Sequence, residues 1–98
     1  MADRAPIADR IHAVMLRDIA AGRVWHYPAG NGNDHPTDRI DVGGRMMAVR
    51  PSHRMAVIEQ RGLACHESPT GSARVAWVLT DAGRAVLAGN GIVEAGRG

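Results

Sequence analysis

The 98-residue chain contains no lysine and no phenylalanine, and has one cysteine, one tyrosine and two tryptophans. Each shortage removes a class of function. A lone Cys65 cannot close an intramolecular disulfide, and without Cys-x-x-Cys or paired histidine spacing no structural zinc centre is expected, so neither a metal nor a cofactor is assigned. Cysteine scarcity fits a reducing compartment. No apolar run approaches the roughly 20 residues that a membrane span requires, and the N-terminus lacks the apolar core of a signal peptide. The expectation is a cytoplasmic protein with no membrane partner. With three aromatic residues in all, stacking of unpaired bases, the usual platform for single-stranded nucleic acid, is nearly excluded. Catalysis needs a nucleophile with a base, or two carboxylates, converging in a cleft. Asp38 and Asp41 follow His35, but in or beside a glycine-rich loop that would not fix their geometry. The chain is therefore expected not to be an enzyme, and no catalytic residue is nominated.

What is present points elsewhere. All 12 basic side chains are arginine, and alanine, glycine and aspartate are abundant, the bias of a GC-rich genome such as that of an actinobacterium or one of its phages. The formal charge of +2 is a weak electrostatic argument for nucleic acid. The length suits one domain with one modest core, built from Ile, Leu, Val, Met and Ala because aromatics are so few.

Periodicity orders the chain. Over residues 6–21, Ile7, Ile11, Val14, Met15 and Ile19 form one apolar stripe at helical spacing, with Asp9, Arg10, Arg17 and Asp18 opposite, Pro6 in the first turn and Gly22 just past the end. "RVWHY" at 23–27 is β-prone and reads as a short edge strand. Trp25 there either closes the core against the first helix, the preferred reading, or is an exposed anchor for a partner. Residues 28–37 read as a flexible loop, rich in Gly, Asn and Pro. Residues 38–49 leave two choices, because Gly43-Gly44 opposes a continuous helix: a hairpin-like turn, or a loop followed by one helical turn holding Met46 and Met47. A helix is expected over 51–61, with Met55 and Ile58 inward and Ser52, His53, Ala56 and Gln60 outward. Strands follow at 63–67, with Cys65 as a small buried residue, and at 73–80, where Val75, Trp77 and Leu79 alternate inward around a turn at 68–72. Thr80 can cap a helix over 81–88, and Gly83 in its first turn would let it approach a neighbouring backbone. Residues 89–98 read as a flexible C-terminal tail.

Two segments, "HRMAVIEQRGLA" at 53–64 and "ARVAWVLTDAGRAVL" at 73–87, together resemble the winged helix-turn-helix domains of bacterial transcription regulators, those of the MarR type included. The resemblance spans roughly residues 51–88 and implies an α+β fold: a small winged helix-turn-helix domain with about three helices and a two-stranded wing, the separation of the two segments leaving 65–72 as a short wing. The pattern departs from the family at Gly43-Gly44, which stands where the helix before the recognition helix is expected. The implied function is occupancy of double-stranded DNA, as a small transcription regulator or phage accessory factor. Ser52, His53 and Gln60 would then face a major groove, Arg50 and Arg54 the phosphates at the helix start, and Arg74 the backbone or a minor groove from the wing base. Specific recognition would call for a homodimer, since one helix with few base-reading residues has limited affinity. The alternative is a winged helix used as a protein-interaction module, such as a phage protein that binds and inhibits a host protein. Clustering of Arg50, Arg54 and Arg74 favours DNA; their dispersal favours a protein partner.

Overall fold

In the computed structural model, which describes residues 11–30, 35–71 and 73–89, the first regular element is helix α1, Ala13–Ala20. Met15, Leu16 and Ile19 carry it into the core. The inward stripe is rotated from the expected one: Ile11 and Val14 are 65% and 57% exposed, while Asp18 is buried. The cause is Leu16, fully enclosed, which centres the buried arc between Met15 and Ile19 and turns Val14 outward. Asp18 tolerates burial because Arg23 Nη1 donates to its Oδ1 at 2.8 Å. Pro6 and Ile7 lie outside the described residues. The helix closes as Gly22 and Arg23 donate their N–H groups to the Ile19 and Asp18 carbonyls, a Schellman end at the glycine expected for it.

The strand β1, Val24–Tyr27, follows, then β2, Thr37–Val42, and β3, Arg45–Ala48. The flexible-loop expectation at 28–37 is cut short by β2, which begins at Thr37; residues 31–34 lie outside the described set. Residues 38–49 resolve as the hairpin alternative. Gly43 and Gly44 have φ of 61° and 89° between β2 and β3, the positive pair that a two-residue turn with the right twist requires, and the Gly44 N–H donates to Asp41 Oδ1. Met46 and Met47 therefore lie on a strand; Met46 is half-buried and Met47 exposed.

Helix α2, Arg54–Gln60, is shorter than residues 51–61, because 51–53 form a turn in which the Arg54 N–H donates to the Pro51 carbonyl. Met55 and Ile58 are fully buried. A second Schellman end, Gly62 to Glu59 and Leu63 to Ile58, feeds Leu63 into the core. Strand β4, Ala64–Cys65, pairs antiparallel with β6, Val78–Leu79, while β5, Val75–Ala76, pairs with β1. The larger sheet runs β3-β2-β1-β5, all antiparallel, so β1 is an interior strand and not an edge. Between β5 and β6 the buried Trp77 donates its backbone N–H to Val24, joining the two sheets through one returning segment. Cys65 is exposed, since strand alternation gives the inward place to Ala64.

The closing helix α3, Asp81–Gly89, begins as expected. Thr80 Oγ1 accepts the Gly83 N–H at 3.1 Å and donates to the Gly62 carbonyl at 2.6 Å, so one hydroxyl caps α3 and ties it to the end of α2. A Cβ at Gly83 would fall on the Leu63 carbonyl oxygen and within 3.2 Å of Leu79 Cδ2. Glycine is required there by close approach. The remainder of the tail, 90–98, lies outside the described residues. The described residues form a small α+β domain with three helices and a four-stranded antiparallel sheet. All three helices contribute to one core that also takes Val24 and Trp77 from one sheet face. Among the described residues no helix is long and apolar enough to cross a membrane.

Candidate nucleic-acid interface

The six residues singled out by sequence divide into two groups. Arg50, Ser52 and His53 are exposed in the turn that enters α2, Arg54 is half-buried at its first position, and Gln60 is exposed at its last. Met55 and Ile58 hold the opposite side of the helix in the core. No carboxylate among the described residues lies within ion-pair distance of Arg50 or Arg54, although Glu59 shares the helix. His53 and Arg54, with Ile11, His12, Pro51 and Val57, also line an open cavity of about 250 Å³ between the starts of α1 and α2.

Arg74 belongs to a different surface. Along β1, Val24 and His26 face the core side, while Trp25 and Tyr27 face the other. The Arg74 guanidinium lies over the Trp25 ring, 4.1 Å from its centroid, and Nη1 donates to the Tyr27 hydroxyl at 3.0 Å. Arg39, paired across the ladder with Trp25, sits 5.6 Å from the Tyr27 centroid. No residue of the buried cluster comes from this face. Trp25 thus supports an arginine on the outer side of the sheet, and Trp77 is the tryptophan of the core. Arg50 leaves the sheet past edge strand β3 and Arg74 enters it at the opposite edge β5, three strand spacings or roughly 14 Å away. Arg50 and Arg74 thus stand at opposite edges of the sheet.

On the core side of the same sheet end, four residues not nominated from sequence come together. Asp38 Oδ1 accepts from His26 Nδ1 and from Trp77 Nε1, both at 2.8 Å. His66 stacks on His26 with centroids 4.3 Å apart, both rings meet Trp77 edge-on, and His66 Nδ1 donates to the Glu67 carbonyl. The histidine that meets Asp38 is His26, not His35. The His26–Asp38 pair is oriented as a general base would be, with Nδ1 engaged and Nε2 left over. Among the described residues, however, no hydroxyl or thiol is bonded to it, and no group of three or more His, Cys, Asp or Glu could hold a metal ion. The alternation in "RVWHY" already puts Trp25 and Tyr27 on one face and His26 on the other. The partners Arg39, Asp38, His66 and Arg74 follow from strand register and from the returning segment, which no local pattern announces.

No protein-family model matches this chain, and neither a curated protein nor a solved structure matches it.

Proposed function

We propose that this domain binds duplex DNA in the manner of a winged helix, presenting α2 to a major groove and acting by occupancy as a small regulator or accessory factor. The observation that carries the reading is the start of α2: Arg50, Ser52 and His53 exposed, Arg54 beside them, no acid opposing the arginines among the described residues, and a helix anchored from behind by Met55 and Ile58. The chain order of α1, β1, α2 and the β4–β6 pair with its returning segment supports it; the β2–β3 hairpin takes the place where a helix-turn-helix would carry its first helix. Gln60 at the helix end can read adenine bidentately, and the arginines fix the register on phosphate. Specific binding would involve a homodimer, for which exposed Ile11, just before α1, and Val14 on it offer an apolar contact. The test is anisotropy of a labelled mixed-sequence duplex across a salt series. Binding should weaken with salt, and Arg50→Ala or Arg54→Ala should each reduce the log-log slope by about 0.9.

A second reading is favoured by the separation of Arg74 from Arg50 and Arg54: a protein-interaction module, with a host protein as the partner of a phage-encoded chain. Absence of duplex binding at low salt would leave this reading in place of the first. Both readings are non-catalytic.

A further inference from the structure

We propose that the face of the four-stranded sheet opposite the core is a platform for single-stranded nucleic acid, separate from α2 and independent of the duplex reading. The face carries two of the three aromatic side chains of the protein, Trp25 and Tyr27, and two arginines, Arg39 and Arg74, lying on or against them. Neither arginine is within ion-pair distance of a carboxylate among the described residues. Asp41, the acid on the same side of β2, lies at the hairpin end and accepts the Gly44 N–H.

The arrangement matters because an arginine on a surface is ordinarily mobile and hydrated on both faces. Here the Trp25 ring covers one side of the Arg74 guanidinium and the Tyr27 hydroxyl orients it. Its plane is set before a ligand arrives, so less side-chain entropy is lost on binding. The outer side remains available as a flat, positively charged surface. Planar donors without an acid partner match a phosphodiester, and flat guanidinium and phenol surfaces match the faces of bases. Duplex bases already stack on one another and offer no faces to these side chains, whereas unpaired bases do. A carboxylate-rich peptide would meet the charges but leave the stacking surfaces unused. The scarcity of aromatics that argued against such a platform concerned number alone; two or three stacking side chains on one sheet suffice, and the β1 alternation puts two here.

The test is anisotropy of labelled, unstructured 20-nucleotide DNA and RNA strands with the full chain over a salt series, alongside the duplex. Salt-sensitive binding of a single strand is expected. Arg39→Ala and Arg74→Ala should each lower affinity about tenfold and reduce the log-log slope by about 0.7. Tyr27→Leu should lower affinity about tenfold without changing the slope, because it removes a stacking surface and no charge. Arg54→Ala should leave single-strand affinity unchanged, whatever it does to the duplex. Among the described residues the Arg39 side chain makes no hydrogen bond, only its contact with the Tyr27 ring, so Arg39→Ala keeps the test valid even if Tyr27→Leu fails to fold. No single-strand binding at low salt overturns the proposal. So does binding that Arg39→Ala and Arg74→Ala leave intact, or binding that polyglutamate displaces at equal charge concentration with no effect of Tyr27→Leu.

Discussion

Asp38 uses one carboxylate oxygen to hold two donors from separate segments, the imidazole of His26 on β1 and the indole of Trp77 between β5 and β6. Trp77 is 2% exposed, so removing its acceptor strands a buried N–H out of reach of water. Asp38→Ala should therefore lower stability by about 2 kcal/mol, roughly 10 °C in Tm by circular dichroism. The cost should shrink when the donor is removed too. In a double-mutant cycle with Trp77→Phe, a coupling of about 1 kcal/mol or more is expected, and a coupling near zero would mean that the bond contributes nothing to stability. Sequence could nominate Trp77 for the core from its strand alternation. It could not nominate Asp38 as its partner, since the residues are 39 apart and meet only through the β2–β1–β5 order.

At the scale of elements, the junction where the returning strand becomes α3 works through Thr80 and Gly83. Alanine in a helix is ordinarily more favourable than glycine by about 1 kcal/mol. At Gly83 that preference is outweighed, because a methyl group there would overlap the Leu63 carbonyl. Gly83→Ala should cost about 2 kcal/mol net, whereas Gly89→Ala, with open space around it, should be neutral or slightly stabilising. Equal melting temperatures for the two variants would exclude the close approach as the reason for the glycine. Thr80→Ala should lose about 1 kcal/mol of capping, and Thr80→Ser should recover most of it because the hydroxyl returns. This junction was legible from the change of period and its capping residue. The phase of α1 was not: Ile11, Val14, Met15, Leu16 and Ile19 allow more than one apolar stripe, and the neighbours that Leu16 packs against decide between them. The β2–β3 hairpin was half legible, as Gly43-Gly44 suits a tight turn without excluding a loop.

At the scale of the molecule, one sheet separates two surfaces. The core, with α1, α2 and α3, occupies one side, and the start of α2 is exposed; the aromatic–arginine face occupies the other. If α2 is the duplex surface, Arg50→Ala and Arg54→Ala should flatten the salt dependence for the duplex while Arg74→Ala leaves it nearly unchanged. Anisotropy titrations at several salt concentrations decide this. An equal effect of all three would place Arg74 with the α2 arginines, against its 4.1 Å stacking on Trp25.

The sequence by itself determined where the chain changes period, which residues end its helices, and that Met55, Ile58, Leu63, Trp77 and Leu79 are core residues; these depend on neighbours a few positions away. Tertiary structure alone decided that β1 is interior, that Trp25 faces outward under Arg74, that Cys65 is exposed, and that Asp38 joins His26 to Trp77. Those outcomes depend on strand register and on which face the helices cover. A shift of one residue in register reverses every side chain on a strand, and no local preference specifies it.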